Sequence, residues 1–159
     1  MEDLGGNSQH DDSDREYWLA RQNALPVDFH GEEIEPHEVR FVEEFLALGN
    51  RIEWIPKDRT HFPRVSTNDF IWLNNDCLIC ELKCTSAVYK AVANRISDAV
   101  KEAQKHDVVK ENFVIYFETA KIPTKLPRQL RMYNQRRTEA RISRLWLVFA
   151  GKIIEVKLR

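Results

Sequence analysis

The chain predicts an α/β fold in which a central mixed β-sheet is flanked by helices, and three observations carry that expectation. Apolar runs of strand length recur at 51–56, 69–73, 76–84, 113–117, 143–150 and 152–158. Two segments with helical apolar spacing, 35–48 and 87–106, alternate with those runs. Phe113 to Phe117 is nearly all apolar, as a central strand covered on both faces is.

With 159 residues and 43% hydrophobic content, one globular domain is the natural expectation. Residues 1–14 are polar and acidic, which predicts a disordered tail. Residues 15–34 contain Tyr17, Trp18 and Leu19, enough apolar surface to dock as a short helix or strap; 35–159 form the body. Pro36 in the first turn and Gly49-Asn50 as stop bound the first body helix, with Val42, Phe45 and Phe41 or Leu46 on its buried face. A strand at 51–56, a polar loop over 57–67 and a hairpin turning at Asn74-Asn75-Asp76 follow. Thr85 and Ser86 are placed to cap the helix of 87–106. Residues 123–137 read as one basic helix, and Gly151 joins the last two strands tightly.

No 18-residue apolar run and no signal-peptide pattern occurs, so neither a membrane span nor membrane association is expected. The three cysteines, an odd number in one strand-like segment, predict a reducing, cytoplasmic site of action. A net charge of −1 conceals an asymmetry: residues 1–40 carry 11 acidic and 3 basic residues, and 41–159 carry 14 acidic and 21 basic. Between Lys121 and Arg144 eight basic residues face the single acid Glu139. Such a stretch is either a solvated helix face or a phosphate-binding footprint. The lopsided count favours nucleic acid, with Arg128, Arg131, Arg136, Arg137 and Arg141 as candidate contacts.

Asp69, Glu81 and Lys83 are the candidate chemical centre. Residues two apart on a strand share a face, so Glu81 and Lys83 project together while Leu82 points the other way. A three-residue turn at 74–76 pairs 73 with 77 and places Asp69 opposite Glu81. Two carboxylates supply the hard oxygen donors that a Mg²⁺-type ion takes, and a nearby lysine can orient or deprotonate water. An ionised Glu81 inside a run of Cys and Leu needs a cation or metal beside it; a structural ion pair with Lys83 is the plainer alternative. Glu38, on the buried side of the first body helix near its start, is a further acid, either part of the site or an ordinary first-turn glutamate. Arg95 and Gln104 on the 87–106 helix are accessory candidates. A zinc site from Cys77, Cys80, Cys84 and His61 is disfavoured, because Cys77 and Cys80 alternate across a strand.

Asn68-Asp69 followed by Glu81-Leu82-Lys83 resembles the motif of the PD-(D/E)XK nuclease superfamily, with Asn in place of Pro. The order of elements is similar as well: helix, three-stranded meander, helix, strand, over roughly residues 35 to 157. More narrowly, the chain resembles the C-terminal nuclease toxin domains of bacterial contact-dependent inhibition and related polymorphic toxins. The resemblance implies a restriction-endonuclease-like core and a metal-dependent endonuclease acting on transfer RNA or DNA. It implies a divalent ion, Mg²⁺ first and Mn²⁺ or Zn²⁺ after it, held by Asp69, Glu81, the Leu82 carbonyl and Glu38 directly or through water. Lys83 would act on the attacking water, and a cognate immunity protein would be the partner. Two other functions compete: a nuclease of restriction or repair, and a non-catalytic nucleic-acid-binding module on the same fold.

Overall fold

A computed structural model describes residues 5–57 and 66–159. Six strands form one mixed sheet in chain order, β1 (Ile52–Trp54), β2 (Phe70–Trp72), β3 (Leu78–Cys84), β4 (Asn112–Tyr116), β5 (Arg144–Phe149) and β6 (Lys152–Val156). The β3–β4 and β4–β5 pairs are parallel and the other three antiparallel, an α+β arrangement. Every residue of β4 is buried, as its apolar run predicts.

Each face of the sheet carries its own core. On one lies α2 (Pro36–Ala47), whose Val39, Phe41, Val42 and Phe45 pack on Phe70, Trp72, Cys80, Leu82, Trp146 and Val148. Phe41 and Phe45, four apart and thus on one side of the helix, stack with centroids 4.9 Å apart. Helix α1 (Gly5–Asn23) and the loop after it close the same core with Trp18, Leu25, Val27, Phe29 and Ile34. Gln22 fastens that loop: its side chain donates to the Glu32 carbonyl at 2.7 Å and accepts from Ile34 N–H at 3.0 Å. Helix α1 takes in residues 5–14 together with the turns 15–23 that carry Trp18 and Gln22.

The opposite face carries α3 (Tyr89–Gln104), with Val92, Ala93, Ile96, Ala99, Val100 and Ala103 turned to the sheet. Val88 is its N-cap, with no side-chain cap bond, so Thr85 and Ser86 do not cap it; Ser86 accepts the Val88 N–H through its carbonyl instead. The basic segment is not one helix. It breaks into α4 (Lys125–Leu130), α5 (Tyr133–Arg136) and a 3₁₀ turn, Thr138–Ala140. Two inward polar side chains account for the break: the Tyr133 hydroxyl donates to the Ala140 carbonyl, and Asn134 exchanges two hydrogen bonds with the Ile142 backbone. Both hold a chain that doubles back, which a continuous helix could not do. The β5–β6 hairpin turns through Ala150 and Gly151 at φ 47° and 69°, where glycine carries no Cβ strain. Among the described residues no helix is long and apolar enough to cross a membrane.

Candidate active site

The β2–β3 hairpin positions the two central acids. Its register is Phe70↔Cys80, Ile71↔Ile79 and Trp72↔Leu78, and Asp69 N–H donates to the Cys80 carbonyl at 3.0 Å. Asp69 therefore stands across from Glu81, the pairing a three-residue turn predicts. Both are nearly out of water, 5% and 2% exposed. Alternation along β3 then separates chemistry from packing: Cys80 and Leu82 enter the aromatic core, while Glu81 and Lys83 face α3.

Asp69 is fully engaged. Its Oδ2 accepts the Leu82 N–H at 2.8 Å and its Oδ1 accepts Lys57 Nζ at 2.8 Å. Glu81 ion-pairs with Lys110, itself 7% exposed, although that carboxylate oxygen makes no hydrogen bond of ordinary geometry. The two carboxyls also hydrogen-bond each other. Burial is the largest influence on Glu81 and, with the adjacent Asp69, pushes its carboxyl up to about 8 against the pull of Lys83 and Lys110. Burial presses Asp69 upward too, but the Glu81 hydrogen bond, Lys57 and the Leu82 N–H outweigh it and hold Asp69 below the usual range. Two acids in one dry site cannot both ionise freely, and here Glu81 keeps the proton longer.

Glu38 sits at the third position of α2 and completes a capping box, accepting the Glu35 N–H at 2.9 Å. Burial raises its carboxyl, opposed by that backbone bond, and repulsion from Asp69 raises it further. Thus Glu38 caps its helix and also feels the Asp69 charge. Lys57 is held above the ordinary ammonium range: burial alone would lower it, and Asp69 more than compensates.

Lys83 makes no ion pair or hydrogen bond among the described residues. It opens into a cavity of about 270 Å³ shared with Ser66, Arg95, Asp98, Glu102 and Lys110. Arg95 is thus brought beside Lys83. Gln104 is not; it lines a neighbouring cleft of about 250 Å³ with Lys110, Arg141 and Ser143. Arg137 is committed to Ser97 at 3.1 Å and Asn94 at 2.9 Å, and Arg136 lies over the Tyr89 ring. Arg128, Arg131 and Arg141 are exposed.

Sequence reasoning missed Lys57 and Lys110. The signal for a partner was there, a glutamate buried among cysteines and leucines, but the partners it suggested were a metal ion or, as the plainer alternative, Lys83 two residues along the strand. Lys110 comes instead from the approach to β4, which the parallel register Glu81↔Phe113 brings alongside.

Among the described residues no three His, Cys, Asp or Glu side chains are grouped to cage a metal ion. The donors that are present still fit a hard ion. Asp69 and Glu81 form a buried carboxylate pair that Lys57 and Lys110 balance in this structure. A Mg²⁺-type ion, which takes one or two carboxylates and completes its shell with water and substrate phosphate, would replace those ammonium groups. Cys80 and Cys84 pack in or against the opposite core, Cys77 is exposed, and His61 lies outside the described residues. Set beside models of known protein families, curated proteins and solved structures, the chain matches none.

Proposed function

We propose that the chain is a metal-dependent nuclease of the PD-(D/E)XK type, hydrolysing phosphodiester bonds in nucleic acid. The observation that carries this reading is the buried Asp69–Glu81 pair across β2 and β3, with Lys83 next along the same face. The order helix, antiparallel three-stranded meander, helix and parallel strand is what that core requires, and α2, β1–β3, α3 and β4 follow it. Asp69 and Glu81 would hold the ion, with the Leu82 carbonyl beside them and Glu38 through water. When bound, a Mg²⁺-type ion supplies an acidified water and neutralises charge developing on phosphate. Lys83, without an ion pair or hydrogen bond among the described residues, would orient the attacking water and offset negative charge on the phosphoryl oxygens. The Leu82 N–H fixes the Asp69 carboxylate, and Lys57 and Lys110 keep the two acids compatible with burial.

The ammonium groups also favour a second reading, a nucleic-acid-binding module in which Lys57 and Lys110 satisfy the acids for structure alone. Incubating the protein with transfer RNA, single-stranded DNA and duplex DNA, with and without Mg²⁺ or Mn²⁺, separates the two. Metal-dependent cleavage lost in a folded Glu81→Gln protein is expected; binding without cleavage of any substrate would overturn the nuclease reading. The choice among substrates also separates a toxin-like transfer-RNA nuclease from one of restriction or repair. In the toxin-like case, an acidic immunity protein would cover the exposed Arg128 and Arg131.

A further inference from the structure

Lys110 is the shared wall of two clefts, and each cleft holds a cation that makes no ion pair or hydrogen bond among the described residues. In the first, Lys83 and Arg95 have no ion pair or hydrogen bond among the described residues. Asp98 and Glu102 share that cavity, but Glu102 is engaged by Lys105 at 3.2 Å and His106 at 3.6 Å. Two open cations therefore stand against one open acid. In the second cleft Arg141 is exposed and makes no ion pair or hydrogen bond among the described residues, beside Gln104. The one acid there, Glu111, accepts from the Ser143 hydroxyl at 2.9 Å, and Val109 is 68% exposed along the rim.

Helix geometry decides which arginines belong to this surface. At 3.6 residues per turn, Arg95, Asp98, Ala99 and Glu102 share the side of α3 turned to Lys83. Asn94, Ser97 and Lys101 share another side, and there the basic segment docks through Arg137 and Glu139. Most of the segment from Lys121 to Arg144 is thus anchored away from the Asp69–Glu81 pair. Arg141 is the member that comes round the end of α3 to the cleft beside Lys110.

We propose that the two clefts form one track for two phosphodiester groups of a single polynucleotide strand, one held by Arg95 beside Lys83 and the next by Arg141. The inference rests on the nuclease reading for the identity of the strand, though not for the existence of the track. Gln104 offers hydrogen-bonding groups to the intervening nucleotide, and Val109 an apolar surface for a sugar or base face. Arg95 and Arg141 are positioning residues that set the strand against the Asp69–Glu81 pair.

The test measures binding of fluorescent ten-nucleotide RNA and DNA of one sequence to the full chain in excess chelator, over a series of salt concentrations. Each phosphate contact contributes a slope of about −0.7 in log affinity against log salt for a single strand. Arg95→Ala and Arg141→Ala should each flatten the slope by about 0.7, the double variant by about 1.4, and Arg95→Lys should restore most of its share. Both arginines are exposed, so these variants are expected to fold. Lys152→Ala, at an exposed position on the β5–β6 hairpin outside both clefts, should leave the slope unchanged. An unaltered slope in either Arg95→Ala or Arg141→Ala overturns the two-phosphate track, and so does an equal change in Lys152→Ala, which would mean diffuse attraction. Equal losses on RNA and DNA mark backbone recognition. If the slopes change as expected and Mg²⁺ never elicits cleavage, the track stands and the nuclease reading falls; if cleavage occurs with unchanged slopes, the reverse holds.

Discussion

Glu81 forms its ion pair with Lys110 rather than with Lys83, its neighbour on the same strand face. Glu81 and Lys110 are buried, their side chains 2% and 7% exposed, and 29 residues apart in sequence. A buried pair of this kind need not stabilise a fold relative to apolar packing. Removing one partner is nonetheless costly, because the remaining charge is left without compensation.

Above pH 8, where Glu81 is ionised, Lys110→Met should therefore destabilise the protein by about 3–5 kcal/mol, the usual cost of orphaning a buried charge. Combining it with Glu81→Gln should recover a large part of that loss. Urea denaturation of the two single variants and the double variant measures the coupling. Additive losses would show that the contact carries no energy.

Stability should fall across the mildly acidic to mildly basic range. Glu81 titrates from about 8 in the folded protein against an ordinary glutamate value of 4.5, so its contribution is complete below the ordinary value and is lost as pH rises between the two. Asp69 acts in the opposite sense and further down: its lowered carboxyl contributes stability above 3.8, lost as pH falls below it. In chelator, the parent protein should lose at least about 1.4 kcal/mol relative to Glu81→Gln between pH 5 and pH 8.5, the equivalent of one pKa unit. Parallel unfolding curves for the two proteins at both pH values would contradict the raised carboxyl.

Lys83 separates chemistry from architecture. It makes no ion pair or hydrogen bond among the described residues, so Lys83→Ala should change stability by no more than about 0.5 kcal/mol. Cleavage, by contrast, should fall by about 10²–10⁴-fold, the span of a positioned proton-transfer group. Thermal unfolding together with a metal-supplemented cleavage assay checks both halves, and full activity in the folded variant removes Lys83 from the chemistry.

Glu38 has two roles that one pair of substitutions can divide. Glu38→Ala removes the capping box at about 1 kcal/mol. Glu38→Gln keeps an amide oxygen for the Glu35 N–H but removes the charge near Asp69. Loss of cleavage in Glu38→Gln with unchanged stability assigns the carboxylate to the site; loss only in Glu38→Ala assigns it to the helix.

The hairpin geometry was legible because it obeys local rules. Counting back from a turn centred at 74–76 gives the register that sets Asp69 across from Glu81, although the pairing itself stops at Trp72↔Leu78, and alternation sets the face of Lys83. The apolar runs likewise revealed the strands, and β4 announced its central place through continuous hydrophobicity. What was not legible is non-local. Lys110 reaches Glu81 only because β4 docks parallel to β3, a register no turn dictates. Lys57 follows β1 in a polar stretch where one lysine looks like any other. The break between α4 and α5 depends on Tyr133 and Asn134 finding backbone partners seven and eight residues on, which spacing does not reveal.

Strand order identical to chain order has a kinetic corollary. β2 and β3 are joined by a short turn and can zip together within microseconds, since closing so small a loop costs little entropy. β4 can join only after the chain between has formed and laid down α3, a longer closure of the kind that slows folding. Through that interval Asp69 and Glu81 already face each other while Lys110 is still absent. The nascent hairpin thus carries two apposed acids in water and sheds that repulsion when the crossover docks. Acidic solution should speed the early pairing, and the arrival of β4 should be the step that seals the two carboxylates away.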